Sequence, residues 1–296
     1  MAGQKTKFET FLAEELEKER GVYFPVRALL AERLFVKQMK CTSLHPNPDD
    51  EFCKPEVGPS YEIVSRYEQT IQMARMRGDK KPIKEPLIVE KVRPDGYMLL
   101  NGHHRWAAAI RMGEKKLPVQ VINIATENDI RKMLEKSTHN RRVTLDLDEV
   151  VFVSGPDEAA EKALLWPFNR VFRERLRLGV PALFHFLRAH KYDIWVYSAK
   201  YYSLEHIYWL FRLYGVRIDG VETGTGKRHR LNASLRKWLD QMIARKYPRT
   251  VHVDNHAAVC IDSQTKAFEE YPLSGDPRSW SQEIMDIIGK LDKPAK

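Results

Sequence analysis

MLLNGHHRWAAAIRMG, residues 98–113, decides how the first half of the chain is read. Met98, Leu99 and Leu100 have the character of a buried strand, and Trp106-Ala-Ala-Ala-Ile110 that of a helix. Asn101 and Gly102 lie between them. A strand that turns at glycine and opens a helix leaves the first-turn N–H groups without intrahelical partners, and the helix dipole favours an anion there. Gly102 lets the backbone approach a ligand closely. His103, His104 and Arg105 add side-chain donors, and an arginine can grip phosphate through two parallel hydrogen bonds. Asn101, Gly102, His103, His104 and Arg105 therefore read as a phosphate cradle.

Working outward, EPLIVEKV, RPDG and YMLL form a strand, a tight turn and a partner strand. SYEIVSRYEQTIQMARMRG before them has helical spacing and ends at Gly78, a C-terminal cap residue. LPVQVINI after them is another strand, and TENDIRKMLEKST a helix. Nearer the N-terminus, helices are expected over about 6–20 and 26–35, then a strand in VKQMKCTSL and a turn in HPNPDD.

From LHPNPDDEF to PVQVI, about residues 37–124, this order resembles the ParB/sulfiredoxin fold, whose members hold nucleotide phosphates at the corresponding turn. The sulfiredoxin branch places a reactive cysteine in the turn, where this chain has His103. The partition-protein branch places a Glu-Arg-Arg turn there and follows it with a helix-turn-helix module, which this sequence lacks. GHHR fits the free serine kinase-like branch best. That resemblance implies ATP or ADP as the nucleotide and a serine-like hydroxyl compound as acceptor. A kinase needs a base for the hydroxyl proton; Asp49, Asp50, Glu51 and Glu68 are the candidates, and the sequence does not choose among them.

At Arg141 the pattern changes. RRVTLDLDEVVF is a buried-type strand running into carboxylates, and DIWVYSAK, VRIDGVETG and RTVHVDNH are further strands separated by helical segments. Asn232 is the expected cap of one of these helices, and two helices are expected across about 157–177. Alternating strands and helices predict a parallel sheet covered on both faces. Ligands in such sheets sit beyond the carboxyl ends of the strands, where this half carries Asp146 and Asp148, Ser198, Lys227 and Asp254. Asp146 and Asp148 are close enough to repel unless a cation such as Mg²⁺ sits between them, and Asp254 can complete its site. One carboxylate can attack phosphorus while the other handles the leaving-group proton.

The motifs DLDEV, the serine of WVYSAK, Lys227 and VHVDN resemble, in order, the four motifs of the haloacid dehalogenase-like (HAD) phosphatases. The resemblance implies Asp146 as nucleophile, Asp148 as acid/base, Ser198 and Lys227 as phosphate ligands, and Asp146, Asp148 and Asp254 around Mg²⁺. Lys200, Arg228 and Arg230 compete with Lys227 for its role. The fourth motif departs from the family pattern: Asn255 and His256 follow a single acid. The segment between the first two motifs is too short for a cap domain.

The expected architecture is thus α/β in two domains. Residues 1–139 form a ParB/sulfiredoxin-like α+β domain with an N-terminal helical extension, and residues 140–296 a HAD-like Rossmannoid domain with a minimal cap. The expected function is a phosphate-handling enzyme that joins a nucleotide-dependent small-molecule kinase to a Mg²⁺-dependent phosphomonoester phosphatase. One alternative is a phosphatase whose N-terminal domain only senses nucleotide. The other is a nucleic-acid end-processing or binding protein. The net charge of +9 invites the last reading, but the surplus is spread over both halves without a basic tail, so nucleic acid is not the favoured partner. Three cysteines without a CxxC pair argue against structural zinc and fit a reducing, cytoplasmic setting. No apolar run is long enough to predict a membrane span.

Overall fold

The computed structural model describes residues 7–19, 22–79, 81–153, 155, 159–225 and 233–292. The chain divides into two compact units, Met1–Asn123 and Ile124–Lys296. Among the described residues, no helix is long and apolar enough to cross a membrane.

In the first unit, α1 (Lys7–Glu19), β1 (Phe24–Pro25), α2 (Leu30–Arg33), β2 (Lys37–Lys40), β3 (Leu44–His45) and α3 (Tyr61–Met76) precede the hairpin of β4 (Leu87–Arg93) and β5 (Tyr97–Asn101). α4 (His103–Arg111) and β6 (Lys116–Val121) complete it. The sheet order is β2-β6-β4-β5-β3, with β1 paired to the far end of β4. The central strands alternate as a half-covered sheet requires: Leu87, Val89, Leu99, Leu117, Val119 and Val121 are all buried. Trp106, 1% exposed, anchors α4 in this core, and the Ala107-Ala108-Ala109 run keeps the helix slim enough to lie close to the sheet. Phe8 and Phe11 of α1 pack on Trp106 with ring centroids 6.1 and 6.0 Å away. Two expectations contract: the helix over 26–35 is the single turn of α2, and the strand in VKQMKCTSL breaks at a 3-10 turn, Cys41–Ser43.

The second unit begins with α5 (Glu127–Lys136) and continues through β7 (Arg141–Asp146), α6 (Val180–Ala189), β8 (Tyr192–Tyr197), α7 (Leu204–Leu213), β9 (Gly220–Glu222), α8 (Ala233–Lys246) and β10 (Arg249–Val253). It ends with β11 (Ala257–Asp262), β12 (Phe268–Pro272) and α9 (Trp280–Leu291). The sheet order is β12-β11-β10-β7-β8-β9; β10, β7, β8 and β9 run parallel, and β11 and β12 form an antiparallel edge. The chain steps outward from β7 to β8 and β9, then returns to the other side of β7 to lay down β10. The crevice at the carboxyl ends of β7 and β10 is therefore a topological switch point.

Two features differ from the sequence expectation. The unit boundary falls at Asn123–Ile124, ahead of the composition change at Arg141. The reason is burial: Ile130, Met133 and Leu134 on α5 sit in the core of the second unit. The helices expected across 157–177 are absent from the described part of that segment, which holds one 3-10 turn, Phe168–Arg170. The chain instead doubles back beside the end of the first strand: Arg177 N donates to Val151 O (2.8 Å), Val153 N to Arg175 O (3.0 Å) and Leu178 N to Ala159 O (2.9 Å). Pro167 has no N–H for a helix, and Leu165 and Trp166 stay 82% and 72% exposed. Asn232 lies outside the described residues.

Gly102 is the strained hinge of the first unit, with φ +101°; a Cβ there would stand 2.9 Å from Leu87 Cγ in the core. Gly113, at φ +71°, has nothing within 4 Å. Gly102→Ala should cost about 2–4 kcal/mol in urea unfolding, because steric overlap adds to the left-handed penalty, whereas Gly113→Ala should cost only about 1 kcal/mol. Equal losses at the two positions would remove the packing argument.

Candidate functional site

The second unit's polar residues converge at the switch point. Asp146 is the last residue of β7, paired in register with Tyr197 of β8, while its neighbour Leu145 pairs with Val253 of β10. Asp146, Ser198 and Asp254 therefore stand at the carboxyl ends of three adjacent parallel strands. Asp146 Oδ1 accepts from the N–H groups of Asp148 (2.7 Å) and Glu149 (2.9 Å). This self-cap converts the strand into one π-helical turn, Leu147–Val151, with Phe152 N donating to Leu147 O at 2.8 Å.

The turn carries Asp148 toward β8. There Ser198 Oγ donates to Asp148 Oδ2, Tyr202 OH donates to Oδ1 at 3.0 Å, and Lys200 Nζ lies 3.1 Å from Oδ1. Ser198 is wholly buried and also accepts from Lys200 N at 2.9 Å. Burial, then the Asp148 charge, pushes the Tyr202 phenol far above its ordinary value, so it serves as a donor. The Tyr197 phenol is raised too, by burial first and then by the charges of Asp146, Asp254 and Glu149.

Asn255, where the family pattern has an acid, accepts from Arg177 Nη2 at 2.9 Å. Arg177 also stacks over Trp280, 5.0 Å from the ring centroid. Asn255 is thus occupied in tying the segment before α6 to the end of β10. Lys227 lies outside the described residues.

The carboxylates at the switch point fit Mg²⁺ in part. Asp146 and Asp254 each keep one carboxylate oxygen that accepts no hydrogen bond from the described residues, which suits a hard cation held by one or two carboxylates. Asp148 is drawn away to Ser198, Tyr202 and Lys200. Among the described residues, no group of three or more His, Cys, Asp or Glu side chains is arranged to hold a metal.

The same face of the sheet continues below the carboxylates. Arg142, Thr144 and Asp146 alternate on it along β7, and Thr250, His252 and Asp254 along β10. His252 Nδ1 lies 2.5 Å from Thr144 Oγ1, and burial, aided by the Arg142 charge, pulls its pKa down to about 4.

In the first unit, the expected cradle is built differently from its sequence reading. Gly102 caps α4 in the left-handed conformation. The side chains that follow turn inward. His103, 3% exposed, accepts from Asn47 N at 3.2 Å through Nε2, and its Nδ1 lies 3.6 Å from Asp50 Oδ2. An imidazole that accepts at Nε2 carries its proton on Nδ1, facing Asp50. His104 Nε2 accepts from Ser60 N at 3.2 Å. Arg105, 5% exposed, donates to the carbonyls of Glu85 and Pro86 at 3.1 Å each and to Asn101 Oδ1 at 3.2 Å. These three side chains hold surrounding loops in place, and what α4 offers outward is its N-terminal backbone and the exposed Asn101.

The candidate bases separate as well. Asp50 is buried against His103 and accepts from Phe52 N at 3.1 Å. Asp49 and Glu51 are exposed on either side of it. Glu68 pairs with Arg111 at the opposite end of α4, about 12 Å along the helix from the turn. Sequence reading does not single out Tyr197, Tyr202, Arg142 and His252; alternation along β7, β8 and β10 marks Arg142, Tyr197 and His252, and no local pattern marks Tyr202 in the loop before α7.

Residues 31–138 match the family described as the ParB N-terminal domain. The match runs on through α5, whose apolar face packs in the second unit. An uncharacterised protein of Methanocaldococcus jannaschii is 35% identical over 100 residues, covering 33% of this chain and 37% of its own length. The ATP-dependent L-serine kinase of Staphylothermus marinus is 36% identical over 72 residues, covering 24% of this chain and 27% of its own length. The chain thus spans about a third of the length of these relatives. A solved structure of C-terminally truncated ParB from Caulobacter crescentus, complexed with CTP-γ-S, is 23% identical. It covers 36% of this chain and 56% of its own, at a TM-score of 0.24.

His252 makes stability depend on pH in a defined direction. Unfolded, it takes up a proton near 6.5; folded, it resists until about 4. Its contribution is intact above 6.5 and is lost as pH falls toward 4. The loss should reach about 3 kcal/mol at most. The second unit of a His252→Asn variant should lose correspondingly less stability between pH 7 and 4 in chemical denaturation; an unchanged slope would place the acid sensitivity elsewhere.

Proposed function

We propose that the chain is a two-unit phosphate-handling enzyme, in which the second unit hydrolyses phosphomonoesters through an aspartyl-phosphate on Asp146. The observation that carries this reading is the set of Asp146, Ser198 and Asp254 on three adjacent parallel strands, with Asp148 displaced by one π turn to their side. The order β10-β7-β8-β9 and the paired segment following the π turn are in keeping with the HAD-like expectation.

Asp146 is held by two backbone N–H groups through Oδ1 alone, which leaves Oδ2 to attack phosphorus. The new bond joins Oδ2 to phosphorus as the bond to the leaving oxygen breaks, and Asp148 supplies the proton that oxygen needs. To reach it, Asp148 exchanges a donor for the substrate, and Lys200, on an exposed side chain, is the one most readily released. Asp148 then takes a proton from the water that cleaves the phospho-enzyme. Mg²⁺, held by Asp254 beside Asp146, would offset the charge of phosphate beside carboxylate.

For the first unit, the proposed activity is nucleotide-dependent phosphorylation of a serine-like hydroxyl compound, with ATP or ADP bound against the Gly102 turn. The match of residues 31–138 to the ParB N-terminal domain and the likeness to a protein named as an L-serine kinase support it. A sensor that binds nucleotide without transferring phosphate is the second reading. Burial of Asp50 against His103 and the pairing of Glu68 with Arg111 favour it, since of the four candidate bases only Asp49 and Glu51 stay exposed near the turn.

Asp146→Asn should lower hydrolysis of p-nitrophenyl phosphate in Mg²⁺ by at least about 10³-fold without changing the circular dichroism spectrum. Retained turnover would dismiss Asp146 as nucleophile. The same variant, incubated with ATP or ADP and L-serine, separates the readings of the first unit. A new phosphomonoester signal in ³¹P NMR establishes transfer, whereas intact nucleotide leaves the sensor.

A further inference from the structure

Below the carboxylates, between the sheet and α8, lies a cavity of about 320 Å³. Its volume is at the lower end of the range for small-molecule sites. Arg142 of β7, half-buried, lines it. The guanidinium is fixed from one side: Nε donates to Thr250 Oγ1 at 3.0 Å, and the plane lies over Trp195 and Tyr247, 5.7 and 5.3 Å from their centroids. Its two terminal nitrogens donate to no acceptor among the described residues, and no carboxylate there lies within ion-pair distance of it. A guanidinium held from one side, with both terminal nitrogens beside a cavity, offers an oxyanion a planar pair of donors.

The far side of the cavity has the opposite sign. Glu222 and Asp240 line it, near enough for their charges to act on Arg142 and too far to pair with it. A simple anion would satisfy the fork but face two carboxylates. A molecule bearing both charges a short distance apart would satisfy both walls. Trp195, Leu239 and Ile243 supply an apolar surface between them.

We propose that this cavity binds a free α-amino acid, its carboxylate held bidentate by Arg142 and its ammonium turned toward Asp240. Its lining includes none of Asp146, Asp148, Ser198 and Asp254, and the inference stands whether or not the second unit hydrolyses phosphomonoesters. No covalent step is involved.

Isothermal titration calorimetry of the full chain tests it, with glycine, L-serine and L-leucine as zwitterionic probes and acetate and methylamine as half-probes. At least one amino acid should bind, and acetate and methylamine should each bind at least about tenfold more weakly, a factor worth about 1.4 kcal/mol. Arg142→Gln should weaken the amino acid at least about tenfold. Ile243→Trp, which fills the cavity from α8 and leaves the guanidinium intact, should do the same and decides the matter if Arg142→Gln does not fold. The proposal is overturned if no amino acid binds up to roughly 10 mM, where the binding free energy has fallen below about 3 kcal/mol. It is overturned equally if acetate binds as well as the amino acids, or if binding persists in both variants. Persistence would place the amino acid elsewhere, including the first unit.

Discussion

Asp146 caps its own chain, and the chemistry proposed for the second unit depends on that contact. Hydrogen bonds from N–H groups to an ionised carboxylate are each worth about 1.5–3 kcal/mol, well above a neutral pair. Two of them close the π turn at the end of β7. Had the strand run on in extended form, Asp146 and Asp148 would share one face of the sheet, and Asp148 would not reach Ser198 and Tyr202. The cap separates two carboxylates only two residues apart and gives them different surroundings. Asp146 faces backbone donors and the crevice toward Asp254. Asp148 faces a buried hydroxyl, a phenol held in its protonated form and a lysine.

The first unit reaches a comparable end by other means. Its hinge is glycine, because the left-handed conformation and the nearness of Leu87 leave no room for a Cβ. The side chains that follow Gly102 are the braces of that hinge: Arg105 gathers the carbonyls before β4, His103 holds Asn47, and His104 holds Ser60. Side chains so fixed rigidify a binding loop without touching the ligand. A fixed helix N-terminus keeps its attraction for anions, since that belongs to the backbone.

The likenesses described above lie in residues 31–138 and in stretches of 100 and 72 residues shared with two relatives. The second unit is understood from its own residues: a switch-point crevice at one end of the sheet, and a basic and acidic cavity further down the same face. Both rest on the alternation that sets Arg142, Thr144 and Asp146 on one side of β7.

Much of this was legible in the sequence. Periodicity and turn chemistry foretold α1, α3, the β4–β5 hairpin and α4, because those depend on neighbours a few residues apart. The polar residues at the ends of β7, β8 and β10 were legible for the same reason, since an apolar strand announces where it ends. Tertiary structure decided what local pattern could not. It assigned α5 to the second unit through the burial of Ile130, Met133 and Leu134. It replaced two expected helices with a segment that pairs back onto residues 151–153. It turned His103 and Arg105 inward and brought Arg142 to the wall of a cavity. Each outcome depends on partners tens of residues away. The sequence by itself determined which groups are present and where strands and helices begin; only packing decided which donors meet a protein partner and which remain for a ligand.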